Sequence, residues 1–123
     1  MDYDIRKNNG INGESEACEL LCRKGFLIAE RNFRSRFGEI DIIAYDRKYI
    51  VFAEVKARGT TSIASPAEFV MYSKQKKIEK TAEYYMMKYG LKLQPRFDVI
   101  EVYLDNENRV VRMNHIINAW EVN

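Results

Sequence analysis

The chain has 123 residues, of which 46% are hydrophobic and 31% charged, and its formal net charge is +2. These values describe one globular domain, residues 1–123, and they exclude a disordered chain. The small net charge does not by itself argue for nucleic acid. No segment reaches the length of a membrane span, and "MDYDIRKNNG" at 1–10 lacks the apolar run of a signal peptide, so we expect a cytoplasmic protein.

The first predicted element is an amphipathic helix from Asn12 to Lys24. Its apolar positions include Ala17 and Leu21, which have the i, i+4 spacing of one helix face. Asn12 can cap this helix and Gly25 can end it. The polar residues before the helix, up to about residue 11, are expected to be loose.

Three strands are predicted after this helix. The segments 26–34, 38–46 and 48–58 are rich in Ile, Val, Phe and Tyr, and the last two alternate along the chain. A turn near Asp46–Lys48 would join these two strands as a β-hairpin. Segment 59–68 has the composition of a loop.

The second half of the chain contains a helix and further strands. "SKQKKIEKTAEYYMMKYG" at 73–90 predicts a helix that Ser73 caps and Gly90 ends. Strands are predicted at 96–104 and, more briefly, at 109–113. The element order α-β-β-β-α-β-β predicts an α/β fold in which a central mixed sheet is flanked by helices.

Charged residues interrupt two strands that otherwise read as buried. Alternation along a strand places Asp41 with Ile43 on one face of the first strand, and it places Glu54 with Lys56 on one face of the second. If the hairpin turns on residues 47–48, Asp41 lies directly opposite Glu54. The pattern therefore favours the convergence of these three charged side chains.

The chemistry of these three side chains depends on which cation neutralises the two carboxylates. Two carboxylates opposite each other on neighbouring strands repel unless a cation lies between them, and Mg²⁺ commonly binds one or two protein carboxylates. Lys56 could then orient a water molecule and stabilise charge on a phosphate, as in metal-dependent phosphodiester hydrolysis. The alternative is a solvated sheet face that carries Glu–Lys pairs. The residues alone leave both interpretations open.

Four motifs together carry a family resemblance: "NGESEA" on the first helix, "GEIDIIA", "VFAEVKAR" and "RFDVI". The chain resembles the PD-(D/E)xK nuclease superfamily, and within it the YraN-like family of uncharacterised nuclease-like proteins related to archaeal Holliday-junction resolvases. The resemblance runs from about Gly13 to the "HIINAW" segment. It implies a restriction-endonuclease-like fold, a Mg²⁺ or Mn²⁺ cofactor, and a DNA substrate that includes branched or other non-B-form structures.

The resemblance also implies roles for individual residues. Asp41 and Glu54 would bind the metal, with the Val55 carbonyl as a further ligand, and Lys56 would position or activate the attacking water. A Glu on the first helix joins the site in the resolvase-like branch. The Gly-Glu pattern maps it to Glu14, which lies on the core-facing stripe of the helix. The proline that precedes the Asp in the superfamily motif is absent.

Basic residues near these motifs are expected to contact nucleic-acid phosphates. We expect Arg34, Arg58 and Lys74 to bind DNA, because Arg58 and Lys74 match the family pattern beside the site. Asp98 is predicted to be either a carboxylate that supports the site or a salt-bridge partner of Arg96.

Two other functions stay open at this point. The first is a nucleic-acid-binding protein that keeps the fold but cleaves little or nothing. The second is a metal-dependent hydrolase of small phosphorylated molecules. Junction resolvases act as symmetric dimers, so a homodimer is compatible with the resemblance. No membrane partner is expected.

Overall fold

A computed structural model of the chain describes the backbone of residues 5–60 and 70–122, and within these ranges the side chains from residue 13 onward. The described residues form two helices and five strands, in the predicted order α-β-β-β-α-β-β. Their bounds are α1 Ile5–Arg23, β1 Leu27–Ser35, β2 Gly38–Tyr45, β3 Tyr49–Gly59, α2 Tyr72–Tyr89, β4 Gln94–Leu104 and β5 Val110–Trp120.

The described strands form one mixed sheet in the order β1-β2-β3-β4-β5. β3 and β4 pair in parallel, and the other neighbouring strands pair antiparallel. A parallel pair needs a long crossover connection, and α2 lies within it. α1 packs over Ile42 and Val51 on one face, and α2 packs over Phe52 and Val99 on the other. The predicted α/β fold with a mixed sheet flanked by helices is therefore confirmed.

Both helices begin before the predicted residue. α1 begins at Ile5, so Asn12 lies inside the helix and is not its cap; an interior Asn costs less than about 1 kcal/mol and does not force a helix end. α2 follows Met71, which makes no side-chain capping hydrogen bond, so Ser73 is not the cap either. Gly90 ends α2 in the left-handed conformation, with φ of 62°, as predicted. Neither described helix is long and apolar enough to cross a membrane.

β5 is longer than predicted. The prediction ends this strand at residue 113, whereas the strand continues to Trp120. Its pairing with β4 is irregular next to the Phe97–Trp120 pair, where Asn118 has a left-handed φ of 54°. The irregularity breaks the alternation on which a strand prediction depends. Most of the predicted loop at 59–68 lies outside the described residues.

The hairpin between β2 and β3 has the predicted register. Its turn follows Asp46, whose carboxylate accepts hydrogen bonds from the N–H groups of Lys48 and Tyr49 at 2.8 and 2.7 Å. The backbone pairs between the two strands end at Ile42–Ala53. Beyond that pair, among the described strands, β2 continues beside β1 and β3 continues beside β4. We call this opening between β2 and β3 the fork.

The alternation of faces breaks at the fork. Simple alternation predicts Ile40 and Ile42 on one face, and this is wrong for Ile40: Ile42 packs in the cluster under α1, but Ile40 packs in the cluster under α2. Asp41 lies between them, and in the register of β1 with β2 it falls opposite Asn32. Asn32 is left-handed, with φ of 52°, which turns β1 at the same level. The side chain of Asp41 therefore does not follow the regular alternation of faces along β2.

Candidate functional site

Asp41 takes the place of a backbone partner at the fork. Past the last backbone pair of the hairpin, the N–H of Val55 donates a hydrogen bond to Asp41 Oδ2 at 2.8 Å. Asp41 itself is half-buried. In an antiparallel pair the N–H and C=O groups of one residue point to the same neighbouring strand. The Val55 carbonyl therefore faces the fork together with its N–H.

Glu54 is the second carboxylate at the fork. Only 6% of this residue is exposed. Lys74, near the start of α2, donates a hydrogen bond from Nζ to Glu54 Oε1 and forms an ion pair with it. A buried carboxylate without such a partner would be costly. Lys74, which the sequence suggests as a phosphate-binding residue, is thus the counter-ion of Glu54 in this structure.

Glu14 approaches the fork from α1, on the other face of the sheet. Its Oε2 accepts a hydrogen bond from Asn32 Nδ2 at 3.3 Å, and the residue is half-buried. Gly13 packs closely on β3, since a Cβ at this position would lie 3.8 Å from Val55 Cγ1. α1 therefore brings Glu14 beside the same strands that carry Asp41 and Val55.

The charges at the fork act on one another. Burial and the neighbouring Glu54 carboxylate raise the pKa of Asp41 to about 7, and Glu14 adds to this rise, although the Val55 N–H opposes it. Burial lowers the pKa of Lys74, but its hydrogen bond with Glu54 and the nearby carboxylates raise this pKa overall. Asp41 thus interacts electrostatically with both Glu54 and Glu14.

The donor atoms at the fork suit a hard divalent cation. Carboxylate and carbonyl oxygens are the usual ligands of Mg²⁺, which often takes only one or two protein carboxylates. Asp41, Glu54 and the Val55 carbonyl supply such donors, and the raised pKa of Asp41 reflects its burial and the neighbouring Glu54 carboxylate. Among the described residues, no group of three or more Asp, Glu, His or Cys side chains is arranged to hold a metal by itself. A metal ion at the fork therefore stays a prediction.

Two basic residues of β3 lie beyond Glu54. Lys56 is half-buried and makes no hydrogen bond or ion pair with any other residue in the described part of the chain. Arg58 donates from Nε to Glu101 Oε2 at 2.7 Å, and both of these side chains are largely buried. The ammonium of Lys56 is therefore not engaged by any described residue, and its catalytic role stays a prediction. The contact of Arg58 with DNA stays a prediction.

Arg34 lies near the tip of the β1–β2 hairpin. Its Nε is 3.2 Å from Glu39 Oε2, and both side chains are mostly exposed. Exposed pairs of this kind contribute about 0–1 kcal/mol, so a phosphate could displace the carboxylate. Its role in DNA binding also stays a prediction.

Asp98 belongs to a separate buried network. It is fully buried, and Arg96 donates to both of its oxygens at 3.0 and 2.8 Å. His115 Nε2 lies 2.7 Å from Oδ2, the Asn118 N–H donates to Oδ1, and Lys24 Nζ lies 2.7 Å from His115 Nδ1. Burial raises the pKa of Asp98, but the hydrogen bonds from His115 and Arg96 lower it overall. The predicted salt bridge with Arg96 is confirmed.

Asn32 is a candidate that the sequence did not suggest. Its left-handed backbone allows the turn in β1 opposite Asp41, and its amide holds Glu14. The available signal is an Asn inside the strand "ERNFR". Asn is depleted in strands and tolerates a left-handed backbone, so such a residue marks a break in the strand.

These features define an α/β protein whose mixed sheet opens at a fork that holds Asp41 and Glu54, with Lys74 paired to Glu54. Residues 13–102 match the family described as "Uncharacterised protein family UPF0102", and the chain belongs to that family. This confirms, at the level of the family, the resemblance to YraN-like proteins.

Relatives from three bacteria cover nearly the whole chain. A UPF0102 protein of Caldanaerobacter subterraneus subsp. tengcongensis is 44% identical over 117 residues, which are 94% of this chain and 96% of that protein. A UPF0102 protein of Clostridium botulinum is 45% identical over 124 residues, covering 99% and 100% of the two chains. A UPF0102 protein of Persephonella marina is 45% identical over 114 residues, covering 92% and 93%.

Proposed function

We propose that this protein is a divalent-metal-dependent endonuclease that hydrolyses DNA phosphodiester bonds, with branched or other non-B-form DNA as its substrate. The observation that carries the proposal is the pair of interacting carboxylates at the fork, Asp41 and Glu54, with Lys56 two residues after Glu54 on β3. The PD-(D/E)xK-like motifs that supply these residues support the same reaction.

Several residues at the fork would bind the metal ion together. Asp41, Glu54 and the Val55 carbonyl would bind Mg²⁺ or Mn²⁺, and Glu14 would complete the site from α1. Such an ion, when bound, supplies Lewis acidity toward a phosphate oxygen. Asp41 keeps its orientation through the hydrogen bond from the Val55 N–H. This hydrogen bond links Asp41, on β2, to β3, the strand that carries Glu54.

Lys56 would act on the reacting groups. It follows Glu54 by two residues on β3, and no partner among the described residues occupies its ammonium. The ammonium can orient the attacking water and stabilise the negative charge that grows on the phosphate in the transition state. An incoming phosphate would also compete with Glu54 for Lys74, so Lys74 would move from the carboxylate to the substrate as it binds.

The ion pair of Lys74 with Glu54 favours a second candidate, a nucleic-acid-binding protein with little or no cleavage. Lys74 already neutralises Glu54, so the buried carboxylate has a partner without any metal. In such a protein the basic residues would bind phosphates, and the carboxylates would serve only to position Lys74 and Val55.

A single-turnover cleavage screen separates the two functions. Excess protein is mixed with labelled four-way junctions, flaps, single strands and linear duplexes in Mg²⁺, Mn²⁺ or EDTA. We expect metal-dependent cleavage of a branched substrate by the wild type and its loss in Glu54→Gln, because this change removes a charged ligand but keeps the side-chain shape.

The matched control is Glu107→Gln, a change in the exposed turn between β4 and β5. This variant should cleave as fast as the wild type. Equal traces of cleavage in the wild type and in Glu54→Gln would identify a contaminating nuclease, and the binding protein would then be the correct function.

A further inference from the structure

A groove lies between the tip of the β1–β2 hairpin and α2. It encloses about 720 Å³. Pockets for small ligands span roughly 300–1,000 Å³, so the groove has the scale of a few chemical groups and not of a DNA duplex. We call it the α2 groove, and its main lining residues are Phe33, Arg34, Arg36, Phe37, Lys80 and Tyr84.

The hairpin is fixed on α2, so the groove is preformed. Ser35 Oγ lies 3.3 Å from the hydroxyl of Thr81, which is fully buried. A Cβ at Gly38 would lie 3.3 Å from Lys77 Cβ, a close approach for which glycine is suited. These contacts hold the two walls of the groove at a set distance.

The α2 groove carries a surplus of positive charge. Arg34, Arg36, Lys80 and Lys88 line it, and Glu83 is the acidic member of the lining within the described part of the chain. Arginine and lysine bind phosphate oxygens through charge-assisted hydrogen bonds. The surplus therefore suits an occupant that carries several phosphates.

Aromatic rings lie among these charges. Arg36 lies over the ring of Phe37, 4.9 Å from its centroid, and the Tyr84 ring is 6.2 Å from that of Phe37. Both aromatic residues are half-buried. A nucleobase can stack on such a ring in place of the cation, but only when the base is unpaired and free to leave its own stack. The rings thus favour a single strand over a duplex.

The α2 groove lies on the same side of the molecule as the approach to the fork. A smaller depression of about 290 Å³ is lined by Lys74 and Lys77, and Lys74 contacts Glu54 at the fork. Lys80 in the groove follows Lys77 by one helical turn. At 1.5 Å per residue, the helix from Lys74 to Lys88 spans about 21 Å.

We propose that the α2 groove binds unpaired single-stranded DNA that continues from the strand held at the fork. This inference rests on the proposed function and names its substrate class, a DNA with a single-stranded segment next to the bond that is cut. Bases stack on Phe37 and Tyr84, and the arginines and lysines of the groove bind the phosphates.

Binding measured in EDTA tests the groove without any cleavage. Fluorescein-labelled oligo(dT), oligo(rU) and a short blunt duplex are titrated by fluorescence anisotropy. We expect the wild type to prefer oligo(dT) to the duplex. Phe37→Ala should weaken oligo(dT) binding about 5- to 150-fold, the equivalent of about 1–3 kcal/mol for one stacked base, and Phe37→Trp should keep the affinity.

A matched pair of charge variants tests the phosphate contacts. Arg36→Gln/Lys80→Gln removes two charges from the groove, and Arg23→Gln/Arg47→Gln removes two exposed charges elsewhere. The slope of log affinity against log salt should fall in magnitude by about 1.4 in the groove variant, because each single-strand phosphate contact contributes about 0.7. The control variant should keep the wild-type slope.

The outcomes separate the groove from the nuclease function. Three results would refute single-strand DNA binding in the α2 groove, even for a protein that cleaves DNA. These are equal affinity for duplex and oligo(dT), a preference for oligo(rU), and wild-type binding by the groove variants. A different result is oligo(dT) binding that Phe37→Ala weakens, together with no cleavage of any substrate in Mg²⁺ or Mn²⁺. That result would support single-strand binding in the α2 groove and refute the nuclease function.

Discussion

Lys74 on α2 forms an ion pair with Glu54 on β3, and this contact joins the helix to the fork. The Glu54 side chain is buried, whereas about half of the Lys74 side chain is exposed. Lys74 thus does for Glu54 what a bound cation would do, since it neutralises the carboxylate. A metal ion and Lys74 are therefore expected to compete for the same negative charge.

This competition predicts the behaviour of Lys74→Met. Without the ammonium, Glu54 is buried beside Asp41 with no counter-ion, so the Tm in EDTA should fall by about 4–8 °C, or roughly 1–2 kcal/mol for a pair that is partly exposed. Mn²⁺ should raise the Tm of the variant more than that of the wild type. Differential scanning fluorimetry with and without Mn²⁺ measures both effects.

Lys92→Met serves as the control, because Lys92 is exposed after the end of α2. It should leave both the Tm and the Mn²⁺ response at wild-type values. An equal Mn²⁺ response in Lys74→Met and the wild type would contradict competition between the lysine and the metal.

Asp41→Asn should abolish Mn²⁺ binding measured by calorimetry, because it removes one of the charged ligands proposed for the fork. The fold should persist, since the amide oxygen of Asn can still accept the hydrogen bond from Val55. Glu107→Gln should bind Mn²⁺ as the wild type does. Unchanged Mn²⁺ affinity in Asp41→Asn would remove the metal site from the fork.

Lys56→Met should affect turnover and leave binding intact. The ammonium acts chiefly as the phosphate gains negative charge in the transition state, so the fold, the Mn²⁺ affinity and most of the DNA affinity should stay unchanged. The single-turnover cleavage rate should fall by a factor of about 100–1,000, the usual effect of losing one such contact. Glu54→Gln should instead lose Mn²⁺ binding and cleavage together. A Lys56→Met protein that cleaves at the wild-type rate would refute the catalytic role.

Asp98 controls stability at low pH, away from the fork. The lowered pKa of Asp98 means that its stabilising effect is complete above the unfolded value of 3.8 and is lost as the pH falls through the lowered folded value. The groups that face it are Arg96 and His115, with Lys24 beyond His115. Asp98→Asn should lower the free energy of unfolding at neutral pH by about 3–5 kcal/mol, because Arg96 loses its buried anion.

Urea unfolding from neutral pH down to acid measures this effect. The stability of the wild type should decline below about pH 4 more steeply than that of Asp98→Asn, since the variant has no carboxyl to protonate there. Parallel declines in the two proteins would show that other groups cause the acid sensitivity.

The register at the fork could be predicted because local chemistry sets it. Asp46 fixes the turn through two backbone hydrogen bonds, and a turn on residues 47–48 leaves only one pairing of the strands. That pairing places Asp41 at the level of Glu54. The family resemblance maps the helix carboxylate to Glu14, and helical spacing supports this choice, because it sets Glu14 on the face of α1 that packs on the sheet.

The turn in the sheet at Asn32 and Asp41 could not be predicted from alternation. A period of two assumes that every residue follows the pleat, and one left-handed residue breaks this assumption in both paired strands. The contact of Lys74 with Glu54 could not be predicted from the sequence either. It depends on how α2 packs across the sheet, and no local pattern between β3 and α2 encodes that distance.

The hydrogen bond from Val55 to Asp41 gives the fork a reporter within the backbone itself, with no dye attached to the protein. Most amides within a sheet donate to neutral backbone carbonyls, but the Val55 amide donates to a carboxylate whose charge can change. Protonation of Asp41, a cation at the fork or a substitution at Asp41 each alters the acceptor of that single N–H. The ¹⁵N–¹H resonance of Val55 would therefore record the state of the fork in a backbone NMR spectrum, while the amide of Ala53, one pair deeper in the hairpin, would serve as its internal reference.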